Sequence, residues 1–375
     1  MTAEPNLPDR ATDRFHPDPA RSYTLPSRYY HDPAVFERER EAVWARSWLL
    51  VGHGEKVREP GDYLTAELAD ERVIVIRGRD GTLRAFYNVC QHRAHQLLEG
   101  SGHASVITCP YHGWSYQSDG RLRSARECEK VDGFEPGAFS LKPVRVELFC
   151  GFMFVNLDAA APSLASLAPE LEAEVRQYVK NLDRLTHAHR LTFEVTANWK
   201  TIIDNYLECY HCPVSHKGLS GMLDLDDYRI DTYRIHSSQV SGTKRNSAAA
   251  YDTTGAEVTA HCSWWLWPNL CWLQFPGRGG MMVYSHVPEA PERTLQVVDF
   301  YFPDKTPTAR EWEQIKFLET TLRPEDKRLC ESVQRGLRSR GYHQGRFMVD
   351  RARRAGWSEH GVHHFQTLVR RALGV

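Results

Sequence analysis

No apolar run in this 375-residue chain is long enough to cross a bilayer: the strongest, Leu148 to Leu157, includes Asn156 and falls far short of the roughly 20 residues a membrane helix needs. The N-terminus lacks the charged and apolar halves of a secretory signal, so the expectation is a cytoplasmic protein with no membrane partner. An excess of one charge is also missing, with 47 Lys plus Arg against 48 Asp plus Glu. That balance leaves no global field for nucleic acid or anionic lipid, and partners must be sought in local chemistry. There is no internal repeat. A composition of 41% hydrophobic and 25% charged residues excludes a disordered or fibrous chain, and the length allows two cores. The nine cysteines are odd in number and scattered, unlike a secreted disulfide framework, and metal ligation or buried thiols explain them better. Histidine (18) and tryptophan (10) are plentiful, so the question becomes where they cluster.

Residues 1–20 carry Pro5, Pro8, Pro17, Pro19 and many charges and read as a flexible arm. Within 21–47, Asp32-Pro33 looks like an N-cap followed by proline at the first helical position. Val35, Phe36, Val43 and Trp44 follow at helical spacing, which predicts a short amphipathic helix packed on something larger. Residues 48–160 alternate β-rich runs, such as Arg72 to Arg77 and Leu83 to Val89, with Gly, Asp and Pro turns, the pattern of a small antiparallel domain. Residues 161–375 begin with helical spacing from Ser163 to Leu185 and a helix-like stretch around 199–211. Strand candidates follow at 228–236, 262–275, 281–287 and 294–302, and helical spacing returns from Glu311 to Ala372. The fold class is α+β, with an antiparallel β domain followed by a second antiparallel sheet that receives helices on one side.

Two Cys/His pairs stand out. Cys90-Gln91-His92 is followed by Cys109-Pro110-Tyr111-His112, each pair near a turn flanked by β-rich sequence, so two loops can clamp one site. Two thiolates and two imidazoles suit either tetrahedral zinc or a 2Fe-2S cluster of mixed ligation. The Cys-x-His opening and the run Cys109-Pro-Tyr-His-Gly-Trp-Ser-Tyr116, with Asp119-Gly120 beyond, resemble the Rieske domain over roughly residues 45 to 155. The resemblance implies that Cys90 and Cys109 bind the buried iron and that His92 and His112 bind the outer one. Ala94 departs from the glycine that many relatives carry after His-Arg, and His95 reads as a loop residue because the four-ligand set is complete.

A second constellation lies in Asn198-Trp199-Lys200 through His216, where His211 and His216 stand five apart at a helix end. Two histidines and a carboxylate make the facial triad of mononuclear non-haem Fe(II) oxygenases. The pattern Asp204-x3-Glu208-x2-His211-x4-His216 resembles the catalytic domain of Rieske non-haem iron oxygenases, with a helix-grip sheet. In that family the third ligand is a late Asp, and Glu325-Asp326-x4-Glu331 resembles the stretch that carries it; Asp326 is the choice, with Glu325 and Glu331 competing. Asp204 and Asn205 are grouped with the catalytic residues, and Glu208 is assigned to a bridge between His211 and His112 of the next subunit in a homotrimeric ring. Cys209 and Cys212 form Cys-x-x-Cys inside the iron motif and read as buried thiols. His360, His363 and His364 read as packing or capping residues.

Together the motifs imply a terminal oxygenase using dioxygen, with NAD(P)H electrons delivered by a separate flavin and iron–sulfur reductase, with or without a ferredoxin. The motif Asp204 to Pro213, with Glu at 208, resembles the branch that oxidises quaternary ammonium compounds such as glycine betaine, stachydrine and carnitine. Trp264, Trp267, Phe275 and Tyr284, with Trp272, offer aromatic faces for an N-methylated cation. The expected reaction is oxidative N-demethylation. The alternatives are hydroxylation of an aromatic or other apolar skeleton and, outside enzymes, a Rieske electron-transfer protein.

Overall fold

The computed structural model describes residues 13–68, 70–244, 247–351 and 358–375. The chain forms two compact units, one of Trp44–Leu167 and the other of Ala168–Val375 together with the chain up to Val43. Among the described residues no helix is long and apolar enough to cross a membrane.

Unit Trp44–Leu167 is built on a seven-stranded antiparallel sheet and a small three-stranded one of Ile107–Thr108, Ser115–Tyr116 and Leu122–Ser124. Strand Glu71–Arg77 explains how this unit holds two cores. Its four central residues are fully buried, and alternate side chains leave opposite faces of a strand. Val73 and Val75 join Val57, Leu64 and Val155 on one side. Ile74 and Ile76 join a cluster that contains Cys90, Cys109, Trp114 and Tyr116 on the other. The cysteine loops are thus anchored on an apolar floor.

The other unit is a seven-stranded antiparallel sheet in the spatial order Thr186–Val195, Arg293–Phe302, Met281–Ala290, Leu270–Gln274, His261–Leu266, His236–Ser241 and Arg229–Thr232. Helix Trp199–Tyr206 packs against both Arg323–Leu337 and His360–Leu373. The last of them reaches the sheet through Phe365, 5.4 Å from the ring of Trp265. The short helix Leu171–Tyr178 covers the other face, where Tyr178 meets Trp264, so helices are not confined to one side. Helix Pro33–Ala42, capped by Asp32, is locked onto helix Trp199–Tyr206 by a buried pair. Lys200 Nζ lies 2.6 Å from Glu39 Oε1, and Trp199 Nε1 donates to Glu39 Oε2 at 2.9 Å.

Several expectations need correction. Residues 1–12 of the proposed arm lie outside the described residues, but 13–20 are docked rather than flexible. Asp13 pairs with Arg370, Phe15 stacks on His363 at 4.9 Å, and the His16 carbonyl meets His363 Nε2 at 2.9 Å. The helical run 163–185 breaks into Leu164–Leu167, Leu171–Tyr178 and a 3-10 turn at Leu182–Arg184. Strand Thr186–Val195 was not anticipated. Its residues are mostly half-buried or exposed, so the apolar alternation that marks a strand is faint.

Candidate functional site

In unit Trp44–Leu167 the segments that begin at Cys90 and Cys109 close with the same backbone hydrogen bonds. The N–H of Cys90 donates to the His95 carbonyl at 2.8 Å and its carbonyl accepts from Ala94 N–H at 3.0 Å. Cys109 N–H donates to the Trp114 carbonyl at 2.7 Å and its carbonyl accepts from Gly113 N–H at 3.0 Å. Ala94 and Gly113 occupy equivalent positions and both are left-handed, with φ of 56° and 74°. Each loop turns back so that its cysteine points inward and its histidine outward. Cys90 and Cys109 are buried and in side-chain contact with each other. His92 and His112 are exposed, with ring centroids 4.6 Å apart. His92 stacks on Trp114 at 4.7 Å, and the Tyr116 hydroxyl lies 3.2 Å from Cys90 Sγ and accepts from Gln91 N–H at 3.0 Å. Burial pushes the Cys109 thiol up, so without a metal that thiol stays protonated, whereas a metal holds a thiolate there. Two inner sulfurs and two outer imidazoles suit a 2Fe-2S cluster of mixed ligation. His95 meets the Gln96 carbonyl through Nδ1.

In the other unit, helix Trp199–Tyr206 starts at the Asn198 cap, whose side chain accepts from Lys200 N–H. Past its end, His211 precedes the short helix Cys212–Ser215 and His216 follows it. The ligand atoms of His211, His216 and Asp326 all lie within 4.8 Å of one another, close enough to hold one metal ion. His211 Nε2 lies 3.0 Å from His216 Nε2, and Asp326 Oδ1 lies 2.9 Å from His216 Nε2 and 3.6 Å from His211 Nε2. Ligands about 2.1 Å from an octahedral ion are separated by edges of about 3 Å, so the triangle has the dimensions of one coordination face.

The second nitrogen of each imidazole is also engaged. His211 Nδ1 meets Glu208 Oε1 at 2.5 Å and His216 Nδ1 meets Glu325 Oε2 at 2.7 Å. With Nδ1–H donating to a carboxylate, both Nε2 lone pairs turn to the common point. Burial alone lowers the basicity of His211, but its hydrogen bonds to Asp326 and Glu208 outweigh this and raise its pKa to about 10. Burial raises Asp326, yet the two imidazoles hold its carboxyl well below the usual range. The triangle is therefore built for positive charge, and its donor set fits Fe(II) with open positions. Glu325 stands behind His216 rather than in the triangle. Glu331 accepts from Thr196 N–H at 3.1 Å, elsewhere.

The triangle opens into a cavity lined by Asn205, Tyr206, Tyr228, His261, Phe275 and Tyr284, among others. Asn205 Nδ2 lies 3.4 Å from His211 Nε2. Asp204 does not reach this cavity. It accepts from the Tyr30 hydroxyl at 2.6 Å and Gln366 Nε2 at 3.0 Å, and burial pushes its carboxyl up to about 7. Phe275 and Tyr284 line the cavity, but Trp264 and Trp267 do not. In strand His261–Leu266 the side chains of His261 and Ser263 face the cavity, so alternation sends Trp264 to the far side, against Tyr178. Trp267 packs near Trp265 and Phe365. Tyr206, Tyr228, His261 and Arg323 were not singled out from sequence; Tyr206 was reachable, being inside the iron motif. Cys209 and Cys212 also line the cavity, joined as a disulfide rather than standing as free thiols. Their three-residue separation on one tight turn brings the sulfurs together.

The family model of the ring hydroxylating alpha subunit (catalytic domain) matches residues 182–374, and that of the Rieske 2Fe-2S domain matches residues 47–135. The carnitine monooxygenase oxygenase subunit of Acinetobacter pittii (strain PHEA-2) is 41% identical, over 98% of this chain and 99% of that protein. The chloroplastic choline monooxygenase of Beta vulgaris is 32% identical, over 96% of this chain and 79% of that protein. Among solved structures, a quaternary ammonium Rieske monooxygenase, described for carnitine oxidation and inter-subunit electron transfer, superposes with a TM-score of 0.89 at 39% identity, covering 99% of this chain and 100% of the other.

Proposed function

Because this chain belongs to the family of Rieske non-haem iron oxygenases, as a ring-hydroxylating-type α subunit, we propose that it is the terminal oxygenase of a multicomponent system that oxidises a quaternary ammonium substrate of betaine type. The observation that carries this reading is the convergence of His211 Nε2, His216 Nε2 and Asp326 Oδ1 at a cavity walled by Tyr206, Tyr228, Phe275 and Tyr284. When bound, the cluster at Cys90, His92, Cys109 and His112 supplies single electrons, and iron at His211, His216 and Asp326 activates dioxygen. The protein's own residues orient the imidazoles through Glu208 and Glu325, present aromatic faces to an N-methylated cation, and keep bulk water from the reacting carbon.

The proposed reaction is oxidative N-demethylation. One N-methyl C–H becomes C–OH with one atom of dioxygen, and the other oxygen leaves as water with two electrons and two protons. The carbinolammonium then breaks its C–N bond, releasing formaldehyde, a proton and the tertiary amine. NAD(P)H electrons arrive through a flavin and iron–sulfur reductase, with or without a ferredoxin. The subunits form a trimeric ring in which Glu208 links His211 to His112 of the neighbouring subunit.

The test is oxygen uptake, formaldehyde release and amine analysis by the reductase-coupled enzyme, offered L-carnitine, glycine betaine, choline and simple arenes. Oxygen uptake with a quaternary ammonium compound, matched by formaldehyde, supports the reading. Tertiary amine without formaldehyde moves the attack from N-methyl to the N-methylene carbon. Arene oxidation with inert ammonium compounds favours ring hydroxylation, and cluster reduction with no substrate oxidised at all favours an electron carrier.

A further inference from the structure

Helix Trp199–Tyr206 ends on Leu207 and helix Cys212–Ser215 begins after His211, while Glu208, Cys209 and Tyr210 between them belong to no helix or strand. A disulfide joins Cys209 to Cys212 across this stretch, and Cys212 N–H donates to the Cys209 carbonyl at 3.1 Å. On the far side the chain is anchored, because the Cys212 carbonyl accepts from His216 N–H at 2.9 Å and from Ser220 Oγ at 2.8 Å. On the near side Glu208 is held through His211, whose N–H and Nδ1 meet its two carboxylate oxygens at 3.1 and 2.5 Å. The disulfide therefore ties the irregular segment that presents Glu208 to the anchored helix that the two iron imidazoles flank. Every other cysteine of the chain is free, so the fold does not rely on disulfides. Two of those cysteines, Cys90 and Cys109, must be thiols to take up a cluster. The chain thus matures where thiols persist, and a disulfide in such a setting is reversible rather than permanent. Closing so short a loop also restricts the unfolded chain least, which leaves little of a stability role.

We propose that Cys209 and Cys212 are a reversible oxidation site for hydrogen peroxide, and that their disulfide is the form that holds Glu208 against His211. This rests on the iron-centre reading above and not on the identity of the substrate. Both cysteines are 3% exposed, but both line the cavity on which the triangle opens, where a molecule the size of dioxygen enters. One sulfur attacks an oxygen of the peroxide; the O–O bond breaks, a sulfenic acid forms, and hydroxide leaves as water with the thiol proton. The second sulfur attacks the sulfenic sulfur, and a second water leaves with the other thiol proton. Two thiols and one peroxide become one disulfide and two waters, the sulfurs losing the two electrons that the peroxide gains. A small dithiol reverses the change by two exchanges and becomes a disulfide itself. In the dithiol form the sulfurs part from bonding distance to van der Waals contact. Because Cys212 is anchored, the movement falls on Cys209 and Glu208. Iron retention and electron delivery to the iron then follow the supply of oxidant.

The experiment takes the anaerobic, cluster-loaded protein before the mononuclear iron is added, reduces one portion with a water-soluble phosphine, treats another with a slight excess of hydrogen peroxide, and removes both reagents. Mass spectrometry after alkylation reads the pair, and the cluster absorbance is followed throughout. Both cysteines should be alkylated in the first portion and neither in the second. Fe(II) is then titrated against a competing chelator, and reoxidation of the reduced cluster is followed by rapid mixing with oxygen and L-carnitine. The dithiol form should bind Fe(II) about tenfold more weakly, the lower end of the loss typical of a disturbed outer partner, and its cluster should reoxidise more slowly. Peroxide added after the phosphine should restore both. Cys209→Ser combined with Cys212→Ser should behave as the dithiol form and ignore peroxide. If that variant does not fold, the two forms of the wild type decide, and where L-carnitine supports no reoxidation in either form, iron affinity decides. Thiols that peroxide leaves open to alkylation, a disulfide that phosphine leaves intact in the folded protein, or equal iron affinity in the two forms overturns the site and leaves the oxygenase reading standing. Failure of both forms to bind iron overturns both.

Discussion

Three carboxylates within seven residues compete for the iron, and substituting each in turn separates a ligand from an orienting group and from a bystander. Asp326 Oδ1 stands 2.9 Å from His216 Nε2 inside the triangle, whereas Glu325 Oε2 stands 2.7 Å from His216 Nδ1, behind the ring. Asp326→Ala removes one of three protein ligands and should leave a chain that loses iron on desalting while keeping its visible cluster. Glu325→Ala keeps all three ligands but frees the ring of His216 and removes the charge that fixes its tautomer. Loss of such an outer partner typically weakens metal binding about 10- to 100-fold, or about 1.4 to 2.8 kcal/mol. Glu331→Ala removes an acceptor for Thr196 N–H and a partner 3.6 Å from Lys327, both distant from the iron, and should leave iron affinity unchanged. Anaerobic Fe(II) titration against a competing chelator ranks the three. Iron lost from Glu325→Ala as fully as from Asp326→Ala, or retained by Asp326→Ala, would refute the assignment.

Glu208→Gln should keep both metal centres and the oligomer yet slow reoxidation of the reduced cluster when substrate and oxygen are supplied, followed by rapid mixing; unchanged reoxidation removes Glu208 from the electron path. Ala94→Gly, at a φ of 56° where the matching loop has Gly113, relieves about 1 to 2 kcal/mol of left-handed strain and returns about 0.4 to 1 kcal/mol in unfolded-state entropy. A small rise in melting temperature is therefore expected, and a clear fall would show that the alanine methyl is needed. Lys200→Met strands the buried Glu39 carboxylate, 0% exposed like Lys200 itself, and should cost about 3 to 5 kcal/mol. Adding Glu39→Gln should recover much of it, as read by chemical denaturation, and a double variant as unstable as the single one would contradict this origin.

The metal motifs were legible because their ligands are close in sequence: Cys90 and His92 lie within three residues, Cys109 and His112 within four, and His211 and His216 within six. Choosing Asp326 over Glu325 needed the fold. Adjacent helical residues point about 100° apart, and a π-turn at Leu318–Leu322 shifts the helical phase just before Arg323, so counting from the preceding helix misplaces the face. The tryptophans were misread for a related reason. Trp264 belongs to a sheet covered on both faces, where apolar side chains carry no mark of which one meets the cavity, and Trp267 lies in the turn just past that strand. Tyr228 and His261 come from distant segments that only the sheet order brings together. The disulfide escaped because Cys-x-x-Cys spacing was weighed without the tight turn in which Cys212 N–H donates to the Cys209 carbonyl.

The central claim is that one chain holds both an electron-storing cluster and a separate oxygen-activating iron, and quantitative metal and acid-labile sulfide analysis of the anaerobically reconstituted protein, taken with its visible and EPR spectra, tests it most directly. The expected result is about three irons and two sulfides per chain, with a reducible Rieske spectrum, and loss of about one iron but no sulfide in Asp326→Ala. A colourless zinc protein, or a cluster-bearing protein with two irons that Asp326→Ala leaves unchanged, would contradict it.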